Sequence, residues 1–75
     1  MITYRFIQPL PNGLIEQVSI EAASLQDAII EYVDHQWDPD LEAAVVVYNG
    51  NFIVGQVLPR YSQAQGDMEA VFEPF

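Results

Sequence analysis

The 75-residue sequence predicts a single α+β domain, in which an antiparallel sheet of four or five strands carries one helix on one face. Three observations predict this class. Alternating apolar residues indicate strands in both halves of the chain, residues 25–36 have the apolar period of a helix, and the Asn-Gly sequences at 12–13 and 49–50 are typical of hairpin turns. The predicted order is β-β-α-β-β, with a short further strand at the end.

Two strands joined by a turn are predicted at the start of the chain. Residues 2–8 alternate between apolar and polar faces, and residues 14–22 alternate again, with Val18, Ile20 and Ala22 on one side. Residues 9–13, PLPNG, cannot continue a strand, because proline lacks an N–H donor and Asn-Gly accepts a positive φ. We therefore expect a hairpin here.

The helix is predicted from Leu25 to Gln36. Ser24 is suited to the N-cap, because its hydroxyl can accept from a free amide of the first turn, and Asp27 lies where the helix dipole favours an anion. At about 100° per residue the apolar residues share one broad face. Pro39 ends the helix, since a residue before proline avoids the α region.

The second half of the chain predicts two further strands and an edge strand. Residues 43–48 form a buried strand and 51–58 return after the Asn-Gly turn, with Gly55 indicating a bulge or a close backbone approach. Residues 59–67 are predicted as a polar loop and 68–72 as a short edge strand. Alternation assigns one face to Val45, Val47 and Ile53 and the other to Val46, Tyr48, Phe52 and Val54. The face without the helix then needs a cover, which a second copy, residues 71–75 or a target protein could supply.

The charge balance excludes several functions. Eleven acidic residues stand against two arginines, which gives a formal net charge of −9. Such a surface repels phosphates, so we expect no direct binding to nucleic acid or to an anionic membrane. The longest apolar run, residues 43–48, is too short for a membrane span. The absence of cysteine and of a leader-like N-terminus favours the cytoplasm, which is the host cell's cytoplasm if a phage encodes the protein.

The sequence contains no pattern typical of catalysis, so we expect no enzyme activity, no catalytic residue, no metal site and no cofactor. His35 is the only histidine, there is no cysteine, and no glycine-rich phosphate loop is present. Asp38, Asp40 and Glu42 alternate as calcium ligands can, but the central glycine and the distal glutamate of an EF-hand loop are missing. A solvated acidic loop is the simpler interpretation.

A row of carboxylates is the most informative feature. At helical spacing Asp27, Glu31 and Asp34 fall within about 60° of arc, and like charges four residues apart destabilise a helix slightly. The row continues beyond the helix, and residues 27–42 contain no lysine or arginine. The six predicted partner-binding residues are Asp27, Glu31, Asp34, Asp38, Asp40 and Glu42. A carboxylate on each turn, at about 5.4 Å pitch, imitates the charges of a phosphate backbone. The alternative is an acidic surface that only aids solubility.

In size, acidity and absence of cysteine and lysine, the chain resembles the small acidic proteins by which phages block nucleic-acid-handling machines, notably anti-CRISPR proteins that act as DNA mimics. The resemblance implies a non-enzymatic inhibitor that binds a basic protein target, a Cas effector subunit, at the site that recognises DNA or the protospacer-adjacent motif.

A second resemblance concerns the start of the helix. Residues 20–28, IEAASLQDA, following an N-terminal hairpin, are similar to antitoxin-like domains of the HicB type. That resemblance implies an interaction module that neutralises a basic partner through its apolar sheet face. We also expect a homodimer, because a core of this size supplies only about 3–5 kcal/mol.

Overall fold

A computed structural model describes residues 1–40 and 43–75. Within them five strands form one antiparallel sheet in the order β2-β1-β3-β4-β5, and a single helix lies on one face, which confirms the α+β class. The elements are β1 (Ile2–Pro9), β2 (Ile15–Ala22), α1 (Leu25–His35), β3 (Val45–Asn49), β4 (Phe52–Ser62) and β5 (Asp67–Pro74).

The turn between β1 and β2 follows from its sequence. The amide of Gly13 donates to the Leu10 carbonyl at 3.0 Å, and the Leu10 amide donates to the Leu14 carbonyl at 2.8 Å. Gly13 takes a φ of +85°, which glycine adopts at little cost. Oδ1 of Asn12 accepts from the Leu14 amide at 3.0 Å, so three backbone amides are hydrogen-bonded within the turn that closes the predicted hairpin.

The helix α1 packs on the sheet through two fully buried residues, Ala28 and Tyr32. Ser24 is its N-cap, as predicted, and accepts from the Asp27 amide at 3.2 Å. The Tyr32 ring stacks on Phe6 of β1 with centroids 4.2 Å apart, and its hydroxyl donates to Oε1 of buried Gln8. This aromatic pair holds the helix against β1.

The turn between β3 and β4 has Gly50 and Asn51 at its centre, with a φ of +61° at Gly50. After this turn β4 contains a bulge: Val47 is opposite Gly55 and Tyr48 is opposite Ile53, so Val54 has no partner in β3. The predicted division of faces in β4 is therefore wrong: Ile53 shares the face of Tyr48, and Val54 packs against the core. One extra residue in a strand reverses which side chains face the helix in the part of the strand beyond the bulge.

The polar loop predicted over residues 59–67 is also wrong in extent, because β4 continues to Ser62 and β5 begins at Asp67. Pro59 is accommodated because β3 starts only at Val45, opposite Val57, so no ladder bond toward β3 is lost at Pro59. The predicted edge strand is present and longer than expected. Residues 71–74 lie within β5, so the C-terminal segment does not cover the face that lacks the helix.

Candidate functional site

The predicted carboxylate row lies on the outer side of α1. Ala28 and Tyr32 face the sheet, so Asp27, Glu31 and Asp34, which occupy the other side of the helix, are exposed to solvent. Their positions follow from the helical period, since residues three and four apart are neighbours on a helix surface. The helix therefore presents three carboxylates in one line.

The rest of the row follows the helix end. Asp38 and Asp40 are exposed, and Oδ1 of Asp38 accepts the Asp40 amide at 2.9 Å, which shapes the turn at Pro39. Glu42, the sixth predicted residue, lies outside the described residues. The structure thus brings five of the predicted residues onto the helix and the turn that follows it.

Both arginines lie on the other side of the sheet from the helix. Arg5 alternates with the buried Tyr4 and Phe6, so it points to the helix-free side, where its guanidinium donates to the Gly50 carbonyl at 2.7 Å and lies 4.9 Å from the Tyr48 ring centroid. Arg60 is opposite Glu69 on the same side. The chain has no other arginine and no lysine, so its cations lie across the sheet from the carboxylate row.

The helix-free face of the sheet is partly apolar. At its centre the neighbouring strands β1, β3, β4 and β5 each contribute one half-buried aliphatic side chain, and no described element covers these four residues: Ile7, Val46, Leu58 and Val71. The predicted need for a cover on this face therefore remains, whereas one of its three candidates, the C-terminal segment, is excluded by the pairing of β5.

An apolar groove beside the helix was not predicted from the sequence. It has a volume of about 510 Å³ and lies between the first turns of α1 and Phe72 of β5. Leu25, Ile29 and Ile30 form its helix wall, and Ile30 is 52% exposed. The breadth of the helix's apolar face was a signal for this groove, because the partly exposed Ile30 shows that the sheet does not cover the whole of that face.

The buried polar pair in the core has a structural role. Burial, with a smaller contribution from the charge of Glu16, raises the pKa of the Tyr32 hydroxyl well above its ordinary range. The neutral phenol is then a stable donor to Gln8 in a site closed to substrate. Among residues 1–40 and 43–75 no cluster of three or more histidine and acidic side chains is placed to hold a metal ion.

Comparisons with protein families, with curated proteins and with solved structures find no match to this chain. In the described part of the chain, no helix has both the length and the apolar composition required to cross a membrane.

Proposed function

We propose that this chain is a non-enzymatic binding protein that occupies a basic, nucleic-acid-binding surface of another protein by imitating DNA. One observation carries the proposal. The carboxylates of Asp27, Glu31 and Asp34 are exposed together on α1, while Arg5 and Arg60, the only cations besides the N-terminus, lie on the opposite side of the sheet. The row is therefore available to the lysines and arginines of a partner.

The spacing of the row supports this interpretation. Residues 27, 31 and 34 rise by about 1.5 Å per residue, so successive carboxylates are separated by about 4.5–6 Å along the helix. Phosphates on one DNA strand advance by about 3.4 Å along the axis and are further apart through space because the strand winds. A groove that binds phosphates can thus accept the row, and a like-charged surface rejects it.

The specific target we propose is the DNA-binding or protospacer-adjacent-motif site of a Cas effector. The support for this target is the resemblance in size and acidity to anti-CRISPR DNA mimics. It is tested directly by adding the protein to a guide-loaded Cas effector and measuring binding of duplex DNA. Loss of DNA binding supports the proposal, and unchanged binding by representative effectors removes this target.

A matched pair of variants tests the row. Glu31→Gln with Asp34→Asn removes two charges from it, and Glu16→Gln with Glu21→Gln removes two exposed charges from β2, so both change the net charge of −9 equally. We expect the first variant to lose roughly tenfold or more in affinity for a target that duplex DNA displaces, and the second to lose little. Equal losses would indicate diffuse acidity, and no loss would refute mimicry by the row.

A second candidate function is favoured by the helix-free face. Ile7, Val46, Leu58 and Val71 form a half-buried apolar centre that another protein or a second copy could cover, as in an antitoxin-like interaction module. Salt distinguishes the two candidates. Binding through the carboxylate row weakens steeply between low and physiological ionic strength, whereas binding through an apolar face hardly responds.

A further inference from the structure

Among residues 1–40 and 43–75 no strand pairs with the outer side of β5, so this edge of the sheet offers free backbone groups. The Phe75 amide donates to the Val54 carbonyl of β4 at 3.2 Å. Because amide directions alternate along an antiparallel strand, the amides of Val71 and Glu73 also point to β4. The intervening N–H groups, those of Met68, Ala70 and Phe72, therefore point to the free edge.

Both ends of this edge are closed. The Met68 amide donates to Oδ1 of Asp67 at 2.8 Å, so the first outward donor is already satisfied by a side chain. At the other end Pro74 has no N–H. The free edge is thereby reduced to a short window at Ala70 and Phe72, which presents two amides and two carbonyls.

The two sides of this window differ in chemistry. On the helix side Phe72 borders the apolar groove of about 510 Å³ that Ile29 and Ile30 line across from it. On the opposite side the carboxylates of Glu69 and Glu73 flank Val71, because they alternate with Ala70 and Phe72 along the strand. A bound strand would therefore meet an apolar pocket with one face and negative charge with the other.

We propose that an extended segment of a partner protein, alternating apolar and basic residues, adds to the sheet at Ala70–Phe72. Its residues beside Phe72 place an apolar side chain in the groove, and their neighbours bring lysine or arginine to Glu69 and Glu73. The backbone supplies hydrogen bonds, and the two faces of β5 supply specificity.

Charge selects this occupant over a second copy of the chain. In an antiparallel pair of β5 strands centred on Val71, Glu69 of each copy lies opposite Glu73 of the other. Like charges directly opposite each other destabilise a sheet. A basic segment has the complementary charge. This surface is separate from the carboxylate row on α1, and the inference does not rest on the proposed DNA mimicry.

The probe is a capped eight-residue peptide that alternates lysine and valine, with a glutamate–valine peptide as its control. In titrations followed by amide NMR spectra, we expect the lysine peptide alone to shift the resonances of Ala70, Phe72 and the groove residues. We also expect the Ala70 and Phe72 amides to exchange rapidly with solvent in the free protein and to become protected in the complex. Shifts confined to β2 or to the α1 row, or equal binding of both peptides, would overturn the proposal.

Two proline variants locate the interaction. Ala70→Pro removes an outward amide while leaving the ladder to β4 in place, and we expect at least a tenfold loss of peptide affinity. Ser19→Pro is the matched control. The Leu10–Leu14 hydrogen bond shows that Leu14 faces β1, and because amide directions alternate along β2, the Ser19 amide points away from β1 to the other free edge. We expect it to bind within twofold of the parent.

A third variant tests the charges without touching the backbone. Glu69→Gln with Glu73→Gln keeps the side-chain shapes, and we expect a loss of several-fold that shrinks at high salt. Glu31→Gln with Asp34→Asn is expected to leave peptide binding unchanged. The peptide experiment therefore tests the β5 site independently of the proposed binding through the α1 row. Unchanged binding by both Ala70→Pro and the β5 glutamine variant, or association of the protein through β5 itself, would refute the inference.

Discussion

Gly55→Ala tests how tightly β4 and β5 are packed. Gly55 is buried and has no positive φ, so an alanine there is not strained by its backbone conformation. An added Cβ would, however, lie 2.4 Å from Cζ of Phe72, 2.7 Å from its Cε1 and 2.6 Å from the Glu73 carbonyl oxygen. All three are far inside a normal carbon contact, so the ring and the β5 backbone must move.

The expected magnitude follows from two opposing effects. Overpacking of this kind costs about 1–3 kcal/mol, whereas Gly→Ala without strain recovers about 0.4–1 kcal/mol by restricting the unfolded chain. We therefore expect a net loss of about 1–2 kcal/mol in the free energy of unfolding. For a domain of this size that lowers the melting temperature by roughly 4–16 °C.

Urea unfolding of Gly55→Ala, Phe72→Leu and the double variant checks the cause. Leucine lacks the two ring atoms that crowd the new Cβ, so part of the penalty disappears and the double variant loses less than the sum of the singles, by about 0.5 kcal/mol or more. The Glu73 carbonyl remains in place, so recovery is partial. A neutral or stabilising Gly55→Ala, or strict additivity, would refute the reasoning.

Three further predictions concern the core, the helix start and association. Folding raises the pKa of the Tyr32 hydroxyl. Its contribution to the free energy of unfolding is therefore complete below about pH 10 and falls by about 1.4 kcal/mol per pH unit above about pH 10. Tyr32→Phe removes this pH dependence when unfolding is measured between about pH 9 and 11. Ser24→Ala costs about 1 kcal/mol of unfolding free energy through the lost cap, whereas Ser19→Ala, at an exposed position of β2, stays within about 0.5 kcal/mol. Light scattering at tens of micromolar is expected to report a dimer that covers the apolar centre of the helix-free face and leaves Glu69 and Glu73 at the outer edge of β5 accessible, and a monomer would contradict this.

The sequence was sufficient for the features that depend on neighbouring residues. The first hairpin was predicted because proline and Asn-Gly restrict the turn locally, and the N-cap at Ser24 was predicted because it needs only the first turn of the helix. The exposed row of Asp27, Glu31 and Asp34 followed in the same way, since the helical period alone sets which side chains share a face.

Tertiary structure decided the features that depend on distant partners. Gly55 indicated a bulge or a close backbone approach, and both are present, but the faces of Ile53 and Val54 were predicted wrongly because strict alternation was carried through the bulge. Whether Pro59 ends β4 depends on where β3 begins, which no local pattern encodes. The apolar groove arises only where Ile29 and Ile30 meet Phe72, residues more than forty positions apart that the sheet brings together.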